Sequence, residues 1–469
     1  MIKTELLPLY KIPRQFWLWF ILAQLSFLTT IGLPYQGEEA VYTITSMEMV
    51  VNHEWGVPTQ YGENYARPPL FNWFIIPLAY GLGWDHILIA SRIVAAMATF
   101  LTSILLIWFV QKLFKNRTFS LFCALVYMSS DVLYRRGWLA YADPLFSLFV
   151  FGAIASLWIA VQERRCHLFW LAGLGLIASF LTKALTGYIF YGAAIIVLWS
   201  RQPATRTLLL KPQSLCAHGI ALLFPIVWNI YISEGAHAGG MLYALIAKWN
   251  LVSVREYFLK LTLYPLETFV RTLPIGLLLL YFLLKRIVKK QPLAPLFDYQ
   301  VMTGAWIFGL NYLPYWLAPE SHIRYIMPLY PFLALMFTSL LWKLGEAKIK
   351  IVFVWLAVAI ALRYVIGFWG FPYYEKHYRG DYQAVAKDIL TITHNQPLYA
   401  DDYSATGLSV VANLDVITMP KSILKKPDPN WKEGFLISNT KDVDNTKISK
   451  EYHLGNHPLY LLCRGSACK

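Results

Sequence analysis

Two adjacent carboxylates, Glu38 and Glu39, open a polar stretch that closes on Arg67, Pro68 and Pro69. Residues 37–69 follow one long apolar segment directly and precede a series of others. Between acid and base lie a short helical pattern, Tyr42 to Val51, and a turn region rich in Gly, Pro and Asn. Asp143, Lys183, Arg255, Arg271, Glu320, His322 and Arg324 fall at ends of apolar segments or in gaps on the same side. A carboxylate can take the proton of an acceptor hydroxyl, which is general-base work. Arg or Lys can hold a phosphate and offset the charge that builds as it departs. Arg suits that task because its planar fork meets two oxygens at once. Together these types suit transfer of a group from a phosphate leaving group at a membrane face. Each also has a plainer use. The glutamates suit the first turn of a surface helix, Arg67 an interfacial anchor, and Lys183 a snorkelling side chain. Asp143 before Pro144 suits an N-cap with Pro at the first helical position. His53, His218, His237 and His322 each suit a structural role, and no pair has metal-ligand spacing.

The elements that must position these groups are apolar helices. The chain is 57% hydrophobic and 14% charged, and apolar runs of about 18 residues recur, as a bilayer core requires. This composition predicts an all-α polytopic membrane protein. The net charge of +14 is no nucleic-acid footprint, because its basic clusters occupy alternate short gaps, as the positive-inside rule expects of cytoplasmic loops. They begin with Lys3, Lys11 and Arg14 and run through Lys285, Arg286, Lys289 and Lys290 to Lys343, Lys348 and Lys350. The first span, Phe16 to Leu33, has no small-residue cleavage site and reads as retained. Leu70 to Trp84, interrupted by Pro77, Gly81 and Gly83, reads as a helix lying along the interface. In all, about eleven spans are expected, with none of the strongly ionisable residues clearly in mid-span. An odd count places the C-terminal tail outside.

Residues 1–370 thus read as a transmembrane unit whose first outer loop, 34–84, carries the site. Residues 371–469 read as a small extracytoplasmic α/β domain, with a helix near Tyr382 to Leu390 and strands in 397–412 and 434–440. Cys463 and Cys468 in that tail can pair if it lies outside the cytoplasm and are free thiols if it lies inside.

The stretch from Gly37 to Trp73 resembles the first outer loop of the lipid-linked-sugar glycosyltransferases with the GT-C fold. Aminoarabinose transferases of lipid A and protein O-mannosyltransferases are the similar members. That family carries an acidic pair after the first span, here Glu38-Glu39. A turn follows, here His53-Glu54-Trp55-Gly56-Val57-Pro58, and then a basic residue before Pro, here Arg67-Pro68-Pro69-Leu70-Phe71-Asn72-Trp73. YADPLF around Asp143, FLTKALTG around Lys183 and RYIMPLYPFLAL from Arg324 to Leu335 keep the family's order. The resemblance implies a sugar carried on a polyprenyl phosphate and moved with inversion at the outer face of the cytoplasmic membrane. The acceptor is a lipid such as lipid A, a glycan or a protein. It implies Glu38 as the acceptor-side base, with Asp143 and Glu39 supporting. It implies Arg67 as the grip on the donor phosphate, with Lys183, Arg324 and Arg255 as further phosphate contacts.

Three departures stand out. Glu replaces the usual Asp at position 38, Val41 stands where the family often has Arg, and Ala66 stands where aminoarabinose transferases place a zinc-binding Glu. The AKWNLV stretch also lacks their His. No metal is therefore expected, neither for the chemical step nor at the relatives' structural zinc site. Two alternatives remain at this point. A lipid or polyprenyl-linked-sugar transporter is disfavoured by missing repeats and one-sided charge. A ligase using a pyrophosphate-linked glycan differs only in its donor.

Overall fold

Charge in this molecule collects at the ends of its apolar helices, and the ends alternate along the chain. The computed structural model describes residues 15–65, 67–232, 253–291, 298–394, 396–420, 423–455 and 457–468. Every one of the expected spans falls on a helix, from Phe16–Leu25 with its 3₁₀ extension Ser26–Thr29 to Glu346–Val365. Among the described residues five helices are by themselves long and apolar enough to cross a membrane, and six if one bent pair counts as a span. The others are shorter apolar helices, such as Arg117–Met128 and Leu168–Lys183. The chain is a multi-pass, largely helical membrane protein, as the sequence predicts. Asp143–Glu163 and Ile323–Trp342 are mostly buried within the protein and form its centre. There Phe109, Phe151, Trp158 and Phe332 pack edge-on and stacked. Pro212–Tyr231, by contrast, exposes Leu222, Leu223, Ile226, Val227 and Ile230, a face suited only to lipid.

Not every helix was expected. Val254–Val270 lies in the polar interval before Arg271 and meets Ile275–Val288 at 99°. Arg255, Glu256, Lys260, Pro265 and Glu267 interrupt its apolar pattern. Its start is fixed by a capping box in which Ser253 and Glu256 satisfy each other's backbone N–H groups. Lys260 ties it to the bundle by donating to the carbonyls of Tyr315, Trp316 and Ala318.

The first loop is built around the helix Glu39–Asn52, whose residues 39–49 are all buried. Although it carries Glu39, Thr43, Thr45, Ser46 and Glu48, it is enclosed on every side along that length. On one side it packs against the helices Leu70–Leu82 and Ile87–Phe114, with the Asn72 amide reaching the hydroxyls of Thr45 and Ser46. On the other it packs against Ala405–Thr418 from the C-terminal region. His53, at φ 55°, ends it in the left-handed conformation. A two-residue hairpin, Thr59–Gln60 with Glu63–Asn64, follows, held by Glu48 accepting the N–H groups of Tyr61 and Gly62.

The C-terminal sheet has the order Leu398–Ala400, Gly434–Ser438, His457–Arg464, Lys447–Leu454, with one parallel and two antiparallel pairings. The helix expected near Tyr382 is present as Tyr382–Thr393. The strand expected over 397–412 ends at Ala400. Residues Ala405–Thr418 are helical instead, because Ser404 accepts the Gly407 N–H as an N-cap. Cys463 and Cys468 form a disulfide with Cα atoms 5.2 Å apart. Tyr35, Val41, Ile44 and Tyr61 of the first loop share one apolar core with Leu408, Val411, Phe435 and Leu461 of the C-terminal region.

Candidate active site

The end of the bundle that carries the first loop also carries the start of Asp143–Glu163, the end of Leu168–Lys183 and the start of Ile323–Leu329. Five of the seven residues expected in the site meet there. Asp143 is buried and receives the Lys183 ammonium at 2.5 Å. Ala142, not Asp143, is the N-cap of its helix, and no side chain makes a cap bond there, so the N-cap use of Asp143 is set aside. Lys183 is the last residue of its helix. Ala184 follows at φ 51°, a turn no alanine adopts without strain, and sends the chain away. The Lys183 ammonium stands over the rings of Phe146 and Tyr325, at 5.5 and 5.2 Å.

Arg324 donates to Glu38 Oε2 at 3.1 Å, and its guanidinium lies over the rings of Tyr141 and Tyr325. Glu38 itself caps nothing, and its side chain is half exposed. Among the described residues its other oxygen, Oε1, has no hydrogen-bond donor. Arg67 donates to the Tyr42 hydroxyl at 2.6 Å and lies over the Tyr42 and Tyr65 rings. Lys183 feels the charges of Asp143, Arg67 and Arg324, and Arg324 those of Asp143 and Glu38, so the five charges form one cluster. Burial pushes the Tyr65 and Tyr141 hydroxyls up.

Two expected members do not join it. Glu39 is fully buried and paired with Arg92, which meets it through Nε at 2.9 Å and Nη2 at 2.5 Å. The N–H groups of Ala140 and Gln36 occupy the same two oxygens, each at 2.7 Å. Four charge-assisted bonds occupy the carboxylate and tie Glu39 to the fold, away from the clustered charges. Arg255 is exposed on the first turn of Val254–Val270 and, among the described residues, makes no ion pair with the cluster. His237 and the AKWNLV stretch lie outside the described residues. Among the described residues no three His, Cys, Asp or Glu side chains come together as a ligand set.

Sequence reasoning passed over Arg92 and the tyrosines. Arg92 sits on the second turn of an apolar helix, where an unpartnered charge is costly, and it is completely buried. It also donates to the carbonyls of Ile31, Leu33 and Pro34, which fastens the exit of the first span to the site helix. A lone Arg in an apolar run calls for a carboxylate partner, and that signal was available. Arg363 plays a similar part, donating to the carbonyls of Met128 and Ser130 at the end of Arg117–Met128. The tyrosines carry no such signal, since 30 of them are spread along the chain.

No family model matches the chain. It is 30% identical over 230 residues to the undecaprenyl phosphate-alpha-4-amino-4-deoxy-L-arabinose arabinosyl transferase of Edwardsiella ictaluri, covering 46% of this chain and 40% of that protein. A second such transferase, from Erwinia tasmaniensis, is 27% identical over 206 residues, 43% of this chain and 36% of the other. The matches thus span less than half the length of these curated relatives. Among solved structures, ArnT from Cupriavidus metallidurans bound to undecaprenyl phosphate superposes with a TM-score of 0.68. It is 13% identical and covers 97% of this chain and 100% of that one. The Archaeoglobus fulgidus oligosaccharyltransferase in complex with Zn and sulfate gives 0.50, at 11% identity over 90% of this chain and 68% of the other. At these identities the structural likeness speaks for the fold.

Proposed function

We propose that this GT-C protein is an integral-membrane glycosyltransferase that moves a sugar from a polyprenyl-phosphate donor to a lipid A, glycan or protein acceptor. The observation that carries this reading is the state of the five clustered charges. Lys183 is matched by Asp143 and Arg324 by Glu38. Among the described residues Arg67 is the one cluster cation with no carboxylate at ion-pair distance. A sugar–phosphate–prenyl diester carries one negative charge and a pyrophosphate-linked donor carries two. One uncommitted guanidinium suits the first, which favours a monophosphate donor over the pyrophosphate ligase. The open Oε1 of Glu38 can accept the proton of the acceptor hydroxyl as its oxygen attacks the anomeric carbon. Attack opposite the departing phosphate inverts that carbon, and Arg67 offsets the charge left on the phosphate. Asp143 holds Lys183 and adds its field beside the same face.

Arg67→Ala should weaken binding of undecaprenyl phosphate by about 10-fold or more, the value of a charge-assisted hydrogen bond. Arg67→Lys should restore it only in part, since a point charge replaces a fork. Unchanged affinity in Arg67→Ala returns that residue to the role of an interfacial anchor. Transfer is tested first with the aminoarabinose donor of the relatives' name and lipid A. Mass spectrometry of envelope lipids and glycans, with and without the protein, then assigns the sugar and acceptor.

Because protein cations can do the neutralising, the chemical step in this reading uses no metal. Turnover should survive a chelator, and activity lost on chelation and restored by added metal contradicts that charge balance. The site and the C-terminal region face outward from the inner membrane in this reading, consistent with the disulfide. A cytoplasmic reporter fused after Lys469 should therefore be silent, and an active one reverses the orientation.

A further inference from the structure

Tyr141 lies in the turn just before Asp143 and is almost completely buried. Its hydroxyl accepts the Glu38 backbone N–H at 2.9 Å and donates to the Gln36 carbonyl at 3.3 Å. Both bonds clamp the short link that delivers Glu38 to the site. That link turns at Gly37, where φ is +59°, and a Cβ there would sit 2.6 Å from the Tyr141 hydroxyl. A glycine is therefore needed at position 37 for backbone conformation and for space alike. The face of the same ring carries the Arg324 guanidinium at 4.9 Å, with Arg136 more distant at 5.9 Å. Arg324 in turn holds Glu38 Oε2. One side chain thus touches both members of the Glu38–Arg324 pair, one through its hydroxyl and one through its π face.

The geometry points to Tyr141 as the positioning residue of the transfer reaction, fixing the Glu38 carboxylate and the Arg324 charge relative to each other. The inference rests on the glycosyltransferase reading and adds to it a residue that touches neither reacting atom. A helix cap would have immobilised the Glu38 side chain from its own backbone, but it makes none. Its placement depends on Arg324 and on where Tyr141 holds its main chain. Loss of that control displaces a reacting group by a fraction of an ångström to an ångström, which costs rate and not donor affinity.

Tyr141→Phe keeps the ring under Arg324 and deletes both hydrogen bonds. In membranes where product is the mass-spectrometric species that depends on the protein, it should lower kcat roughly 10- to 100-fold. The donor KM and the affinity for undecaprenyl phosphate should stay unchanged. In a Glu38→Gln background the same change should cost nothing further, because the group it positions is gone. An equal loss in both backgrounds, or no loss in either, overturns the positioning role while leaving Glu38 in place. A fully active Glu38→Gln single variant removes the base itself, and the positioning role falls with it. If Tyr141→Phe does not assemble, Tyr141→His, which keeps an aromatic ring but cannot place a hydroxyl between Gln36 and Glu38, enters the same cycle with the same expected pattern.

Discussion

Glu38→Gln is expected to reduce transfer by about 10²–10⁴-fold, the usual contribution of a general base, with little change in the amount of folded protein. The residue is half exposed, caps no helix and makes one ion pair at its edge, so removing its charge disturbs little structure. The amide keeps an oxygen for Arg324 but cannot take a proton. Rates per folded molecule are the measurement that matters. A correctly inserted Glu38→Gln protein with near-normal turnover would falsify the base assignment and leave Asp143, already committed to Lys183, as a poor substitute.

Arg92→Leu is expected to act in the opposite manner, through the fold. It strips the partner from a fully buried Glu39 and orphans the carbonyls at the end of the first span. Breaking a buried pair from one side typically costs about 3–5 kcal/mol, a large share of the roughly 5–15 kcal/mol that holds a typical domain folded. Thermal unfolding of purified protein, and its yield, should both fall sharply. Glu39→Gln should also lose stability, though less, because the amide keeps one acceptor for Arg92. If instead Glu39→Gln folds with normal stability and loses only turnover, the carboxylate acts in catalysis after all.

The contrast between these neighbours shows where sequence stops being informative. Position and type place Glu38 and Glu39 together, since adjacent acids after a first span look alike in a linear chain. What separates them is a helix boundary: Glu38 stands at the N-cap and Glu39 in the first turn, about 100° around the axis, facing Arg92. The spans were legible because bilayer thickness imposes a length on apolar runs. The convergence of Asp143, Lys183 and Arg324 was legible because alternating spans bring every second helix end to one face. The helix Val254–Val270 was not, because its charges and Pro265 break the apolar run. Nor was the helix Ala405–Thr418, whose Val-rich sequence favours strands by propensity until the Ser404 cap decides otherwise.

The core shared by the first loop and the C-terminal region bears on how the protein is made. Tyr35, Val41, Ile44 and Tyr61 emerge early in synthesis, yet the side chains that bury them, Leu408 to Leu461, come last. Contacts between such distant segments form late. The early helix must therefore wait, half enclosed, while every intervening span is inserted. Glu38 and Arg67 thus lie on a segment whose core is unfinished until Leu408 to Leu461 have been made.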